Sequence, residues 1–358
     1  MVISSIGALL ALLLTVADLF FAAYGPSEIT INKEKKLTVP GGQTLLSALT
    51  AEKIFIPSAC GGRGTCGLCK LRVTKGAGLV LPTEEPFLTH EEIESNVRLA
   101  CQVKVRADLD IEIPPELFAI RRYTCTCTAI IDLTHDIRQF RFKMIEPETI
   151  DYIPGQYIQL LAPVYEKSSE EVYRAYSMSG DPADKTAIEV IIKLVPGGIC
   201  TTYCFEYLKP GDRVMLNGPY GRFRLSDSDA PVVFIAGGSG MAPIKCLLHH
   251  MKNTGSTRKA TYFFGAKTPR DLFLTDLMKS FEAELHDFTF VPVVAETRPG
   301  ENFSGERGLV TEAVRRRLEK PESCEAYLCG SPGMIDAALE VLHELGIDDG
   351  RIFYDKFE

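Results

Sequence analysis

Four cysteines constrain this chain more than any other feature. Three of them lie in Ala59-Cys60-Gly61-Gly62-Arg63-Gly64-Thr65-Cys66-Gly67-Leu68-Cys69, a C-x5-C-x2-C run inside a glycine-rich loop. The fourth, Cys101, follows about thirty residues later. Four thiolates in this grouping can hold two bridged irons, one through each pair. The glycines suit that task. A loop wrapped around a small inorganic cluster needs positive φ and close backbone approach, so that N–H groups can point at sulfur. Zinc is the competing reading, because C-x2-C is also a zinc signature. Zinc sites usually pair two such knuckles, and this run contains one. A disulfide fits a chain of this composition less well. The reading is a [2Fe–2S] cluster on Cys60, Cys66, Cys69 and Cys101.

A chain of 358 residues is too long for one ordinary core and suits several domains. Its formal charge of −8 argues against a nucleic-acid partner, since no basic cluster is dense enough to track phosphates. Eleven cysteines in a large, non-repetitive chain read as thiols in a reducing compartment, not as a secreted disulfide scaffold.

Residues 1–24 are almost wholly apolar, with Asp18 the single charge. As a helix, the apolar run would extend about 33 Å, enough to cross a bilayer of about 30 Å. No Lys or Arg precedes it, as a cleaved signal peptide would require. Lys33, Lys35 and Lys36 follow it, so the positive-inside rule places the remainder on the cytoplasmic side. The expectation is a single-pass anchor in the inner (cytoplasmic) membrane.

After the anchor, the pattern divides in three. Residues 25–118 hold the cysteine loop, alternating strands, a short helix over Thr44 to Ala51 and an acidic helical stretch from Pro82 to Glu94. Leu99 to Val105 reads as a strand carrying the fourth ligand. This is the content of a β-grasp ferredoxin domain (α+β). Residues 119–228 are short alternating strands between Gly and Pro turns, which predicts an antiparallel β-barrel. Cys125 and Cys127 share one strand face there and read as core packing or simple exposure, not as a metal site. In residues 229–358, continuous apolar strands alternate with helices: strand Val232 to Ala236, a helix from Pro243, then helices over Asp271 to Leu285 and Val310 to Leu318. That rhythm predicts an α/β domain with a parallel sheet covered on both faces.

Four motifs in the last two domains carry chemistry. Arg174-Ala175-Tyr176-Ser177 ends a barrel strand. About twenty residues later come Pro196-Gly197-Gly198-Ile199-Cys200-Thr201-Thr202. Glycines opening a helix predicted over Thr201 to Leu208 leave free N–H groups and a positive dipole end, which suits a pyrophosphate. Arg174 can add a bidentate phosphate contact. Tyr176 can flank a flat ring, and the Ser177 hydroxyl can hydrogen-bond a ring nitrogen. The pair of motifs implies FAD. Gly237-Gly238-Ser239-Gly240-Met241-Ala242-Pro243 follows a buried strand and opens a helix; its glycines let backbone approach a pyrophosphate, and Pro243 at the helix start loses no needed donor. Cys329-Gly330 ends the last central strand, where open α/β sheets bind ligands, and a cysteine there can line a nicotinamide pocket or serve as a buried structural thiol. The chain closes on Phe353-Tyr354-Asp355-Lys356-Phe357-Glu358, and a terminal aromatic can cover a flavin face or pack on the sheet edge.

These motifs, in this order, resemble the ferredoxin-NADP reductase superfamily. With the anchor and the amino-terminal cluster, the chain is most similar to the F subunits of sodium-translocating NADH:quinone oxidoreductases. The resemblance implies that Arg174, Tyr176, Ser177 and Thr201 contact FAD. It implies that Gly238, Gly240 and Pro243 belong to the nicotinamide-nucleotide loop, with Cys329 near the nicotinamide and Phe357 on the flavin. It implies electron flow from NADH through FAD and [2Fe–2S] to a membrane-associated acceptor, with other membrane redox subunits as partners. The alternative carried by the same three modules is the reductase component of a multicomponent oxygenase or of another redox metalloprotein system. Lys267 and Arg270, after the second strand of the nucleotide fold, bear on NADH against NADPH.

Overall fold

The computed structural model describes residues 24–114, 117, 120–298, 303–318 and 321–357. The predicted anchor therefore lies outside the described residues, Tyr24 excepted. Among the described residues no helix is long and apolar enough to cross a membrane. The chain forms two compact units, divided between Arg121 and Arg122.

The first unit is a five-stranded sheet with the order β2-β1-β5-β3-β4. Its strands are β1 (Pro26–Ile31), β2 (Lys35–Pro40), β3 (Lys70–Lys75), β4 (Val97–Leu99) and β5 (Leu109–Glu112). The β1–β2 hairpin turns through Asn32 and Lys33, both at positive φ. Helix α1 (Leu45–Ala51) begins at Thr44, whose hydroxyl accepts the Ser47 N–H, and it buries Leu45, Ala48 and Leu49 in the core.

The acidic stretch predicted as one helix is two pieces. A 3-10 turn over Glu85–Phe87 is followed by α2 (His90–Glu94). Leu88 is extended, and Thr89 caps the second piece reciprocally with Glu92, so the helix restarts rather than continues. The strand predicted over residues 99–105 also differs. β4 ends at Leu99, and Cys101 sits in the turn beyond it, closed by Gln102 N–H donating to the Leu99 carbonyl. The chain must bend there, because Ala100 N–H is tied to the Cys69 carbonyl.

The second unit begins with six strands ordered β10-β7-β6-β11-β8-β9. They are β6 (Arg121–Asp132), β7 (Ile137–Glu146), β8 (Tyr157–Ala162), β9 (Val172–Ser177), β10 (Ala187–Lys193) and β11 (Arg213–Tyr220). The sheet closes on itself. Just past β9, Met178 bridges Val190, and Ser179 N–H donates to the Glu189 carbonyl at 2.7 Å. Cys125 and Cys127 are fully buried with Phe140 and Phe142 inside this barrel, as packing residues. Helix α3 (Ile199–Thr202) is shorter than predicted and widens into a π-turn over Tyr203–Tyr207.

The remainder is a parallel sheet ordered β15-β14-β13-β12-β16-β17. Its elements are β12 (Val232–Gly237), α4 (Met241–Asn253), β13 (Ala260–Ala266), α5 (Thr275–Glu284), β14 (Phe288–Val294), β15 (Glu306–Arg307), α6 (Val310–Arg317), β16 (Glu325–Gly330), α7 (Pro332–Glu344) and β17 (Ile352–Lys356). Phe234, Tyr262 and Tyr327 face one core, while Val233, Phe263 and Leu328 face the other. Both faces are thus covered, which is why these strands read as unbroken apolar runs. The helix predicted from Asp271 starts at Thr275. Asp271 is instead bonded to the Thr268 N–H and hydroxyl, and Leu274 is left-handed. Chain order reverses at β12, with β13 on one side and β16 on the other. The crevice at their carboxyl ends is the topological switch point where such sheets take ligands.

Candidate functional site

The four cysteines of the first unit come together as two pairs. Cys60 and Cys66 sulfurs are 3.4 Å apart, and Cys69 shares a side-chain hydrogen bond with Cys101. Backbone N–H groups of Thr65, Cys66 and Gly62 point at the Cys60 sulfur. The Gly64 amide and the Gln102 side chain, at 3.5 Å, serve Cys101. The hydrogen bond from Cys66, helped by those amides, holds the Cys60 thiol well below the ordinary cysteine range. Gly67 is obligatory: φ is +65°, and a Cβ would lie 2.8 Å from the Phe87 ring.

Two-by-two pairing with amides aimed at sulfur fits a two-iron centre, each iron taking one pair. The supporting framework is Arg98 and Glu84, buried at 4% and 0% side-chain exposure. Their contact at 2.5 Å, with the Leu99 N–H donating to Glu84, pins the strand that leads into Cys101.

In the second unit, Arg174, Ala175, Tyr176 and Ser177 finish β9. Tyr176 shares a hydrogen bond with Cys200, and burial foremost pushes its hydroxyl well above the usual tyrosine range. The arginine–tyrosine motif and the Gly198-Ile199-Cys200-Thr201 turn are therefore one site. Gly198 is the N-cap of α3, so the first-turn N–H groups of Ile199, Cys200 and Thr201 have no helical acceptor. The Thr201 hydroxyl is already engaged. It donates within the turn to Val195 and Gly198 carbonyls and accepts the Val195 N–H, so it shapes the loop. A Cβ on Gly198 would meet that hydroxyl at 2.7 Å.

The glycine loop lies between β12 and α4, with Gly238–Gly240 in a 3-10 turn and Pro243 inside the first turn of α4. Gly240 rests directly on the end of β16: an added Cβ would be 2.2 Å from the Cys329 oxygen and 3.0 Å from the Gly330 nitrogen. Cys329 is fully buried, and burial raises its thiol well above the ordinary range. Phe357 N–H donates to the Gly330 carbonyl at 2.9 Å, which holds the terminal aromatic at the same strand end.

Ser177 reaches this group from the barrel. Its hydroxyl hydrogen-bonds Asp355, which pairs with Cys329 in the β16–β17 register. Burial pushes the Asp355 carboxyl up to about 6, against the opposing effect of Ser177. The flavin motif and the nucleotide motif thus meet through Ser177, Asp355, Cys329 and Gly240. Sequence reading singled out every member except Asp355. Its signal was present: Asp355 and Phe357 share one strand face, so an acid stood beside the aromatic already singled out.

Comparison with known proteins agrees with this geometry. Family models describing a 2Fe-2S iron-sulfur cluster binding domain, an oxidoreductase FAD-binding domain and an oxidoreductase NAD-binding domain match residues 29–106, 124–225 and 234–340. The chain is 34% identical to the F subunit of the Na(+)-translocating NADH-quinone reductase of Neisseria meningitidis serogroup C, over 97% of this chain and 96% of that protein. The F subunit of the Psychrobacter arcticus reductase is also 34% identical, over 92% and 90%. Among solved structures, the Amycolatopsis cytochrome P450 reductase GcoB superposes with a TM-score of 0.74 at 27% identity, covering 92% of this chain and 98% of that one. The ferredoxin reductase in carbazole 1,9a-dioxygenase gives 0.70 at 26%, covering 93% and 98%.

The fold and site define an iron–sulfur flavoprotein reductase, with a ferredoxin domain joined to FAD- and NAD-binding domains. Within that class, the chain belongs to the family of the F subunits of Na(+)-translocating NADH-quinone reductases.

Proposed function

We propose that this protein is the NADH-oxidising subunit of a membrane-associated, sodium-translocating quinone reductase, anchored by residues 1–24 with its domains, bounded at 25–118, 119–228 and 229–358, on the cytoplasmic side. The observation that carries the reading is the junction of Ser177 and Asp355 with Cys329 and Gly240, which sets a flavin-type strand end against a nicotinamide-type crevice.

Bound FAD would supply the chemistry that couples a two-electron hydride donor to a one-electron iron–sulfur cluster, which sets the order NADH, FAD, [2Fe–2S] and then a membrane-associated acceptor of the quinone-reducing complex. The chain's own residues bind, orient and exclude. Arg174 and the N–H groups of Ile199, Cys200 and Thr201 hold the flavin pyrophosphate, a task that backbone donors and a guanidinium share well. Tyr176 would flank the flavin ring, and the Ser177 hydroxyl, which the structure bonds to Asp355, would hydrogen-bond a ring nitrogen. Gly237, Gly238, Ser239 and Gly240 cradle the nicotinamide pyrophosphate, with Pro243 starting the helix behind it. Cys329 and Gly330 would floor the nicotinamide pocket, and Phe357 would cover the flavin face until the nicotinamide displaces it. Cys60, Cys66, Cys69 and Cys101 hold the cluster.

The oxygenase-reductase reading shares the architecture of the structural neighbours. Identity of 34% with the quinone-reductase relatives over nearly the whole chain, against 27% and 26% with those reductases, favours quinone reduction. The test is direct. Purified protein should lose flavin absorbance on adding NADH and then show the electron paramagnetic resonance of a reduced [2Fe–2S] centre. Native membranes containing it should reduce quinone with NADH, and co-purification should bring down other redox subunits. Flavin that NADH leaves oxidised sinks the proposal.

A further inference from the structure

The helix that carries the glycine loop holds a lysine where an apolar residue would be expected. Lys245, in Met241-Ala242-Pro243-Ile244-Lys245-Cys246, is only 4% exposed. Its Nζ lies 2.7 Å from Glu189 Oε2 on β10. Glu189 also accepts from Arg141 on β7 at 3.0 Å, and Arg141 continues to Asp184 at 2.6 Å. One turn further along α4, His249 stands 4.0 Å from Asp181. Another turn on, Asn253 donates to Asp181 at 2.6 Å. Residues 245, 249 and 253 recur every fourth position, so a single polar stripe of α4 faces the barrel. Beside it, Cys246 enters the barrel core, while Leu247 and Leu248 enter the core of the nucleotide sheet.

This pair connects both halves of the proposed site. At one end, α4 follows directly from Gly238–Gly240, so any slide or roll of α4 moves the loop. At the other end, the Glu189 carbonyl accepts from Ser179, two residues past Ser177. Stability does not require such a pair: desolvating two charges costs about what their attraction returns, and apolar replacements are often neutral or better. What an ion pair adds is direction. Apolar contact between α4 and the barrel tolerates sliding, whereas a 2.7 Å contact to one carboxylate oxygen does not.

We propose that Lys245 is a positioning residue for hydride transfer, whose buried ion pair with Glu189 sets the glycine loop and the Ser177 strand end at the spacing the two rings need. The inference rests on the functional reading above and deepens it.

The experiment is anaerobic stopped-flow reduction of the bound flavin by NADH in the full-length protein, comparing wild type with K245M. Removing the lysine leaves Glu189 still paired to Arg141, so no buried carboxylate is stranded. The expected result is a saturating reduction rate at least about tenfold lower, since misplacement by about 1 Å can cost a hundredfold. The NADH dissociation constant should stay within about threefold and the unfolding midpoint should be unchanged, with K245R restoring most of the rate. A purely structural role would lower the midpoint or the flavin content and leave the saturating rate of the flavinated fraction intact. If K245M does not accumulate as yellow protein, E189D, which keeps both charges but withdraws the carboxylate by one methylene, must show the same fall. A wild-type rate in flavinated K245M, or in E189D, overturns the positioning role. A wild-type flavin that NADH fails to reduce instead overturns the functional reading beneath it.

Discussion

Gly240→Ala tests the junction of the two nucleotide motifs at its tightest point. The native φ of −60° is one that any residue adopts, so only space is at issue. The new Cβ would fall 2.2 Å from the Cys329 oxygen and 2.6 Å from its carbonyl carbon. Ordinary contact begins at 3.4 Å, so the glycine loop and the end of β16 must separate by about 1.2 Å. Both partners are backbone in a buried sheet, so no rotamer change relieves the clash. Overpacking of this kind costs about 1–3 kcal/mol, which a unit of this size survives. The chemistry should be less forgiving. A displacement of about 1 Å at a hydride-transfer site is expected to cost on the order of a hundredfold in rate. In rapid-mixing experiments, G240A should retain FAD and an intact cluster signal, yet bleach with NADH about a hundred times more slowly than wild type. Full flavin content together with a wild-type bleaching rate would show that the loop does not position the nicotinamide.

Other outcomes follow from the same geometry. C66S should abolish the cluster's visible and paramagnetic signals while NADH still reduces the flavin; loss of both in folded protein would refute the order of carriers. Asp355, raised to about 6 by burial, contributes stability that is present below the ordinary carboxyl range and lost as pH climbs through 6. D355N should therefore raise the thermal midpoint at pH 8 and leave it nearly unchanged at pH 4. It should also remove a rise in flavin-reduction rate near pH 6, which wild type is expected to show as the Asp355 carboxylate gains charge; a profile shared by both proteins would contradict this. R98M strands the Glu84 carboxylate, whose pKa the arginine and two backbone N–H groups depress against burial. The loss should be about 3–5 kcal/mol at neutral pH, read from cluster absorbance in urea, and an unmoved midpoint would count against it.

Local chemistry was legible in the chain itself. The cluster ligands could be read because their spacing and glycines are set by covalent distance along one loop, as in Cys60 to Cys69. The glycine loop could be read because it lies between an unbroken apolar strand and a helix. Element boundaries were less legible. Cys101 falls in a turn because the end of β4 is decided by bonds to distant partners, Ala100 to Cys69 and Arg98 to Glu84; the acidic stretch breaks at Leu88 because Thr89 and Glu92 cap a second helix locally, a signal the strand-and-helix pattern alone overlooked. Three things belong to the tertiary structure. Asp355 is placed on Ser177, Lys245 is committed to Glu189, and Gly240 is closed against Cys329. In each case the partners come from elements far apart in sequence, whether strand against strand, as for Ser177 and Asp355, or helix or turn against strand, as for Lys245 and Gly240. No periodicity encodes which charge will face which once a barrel closes and a sheet packs beside it, so only the folded chain decides those pairings.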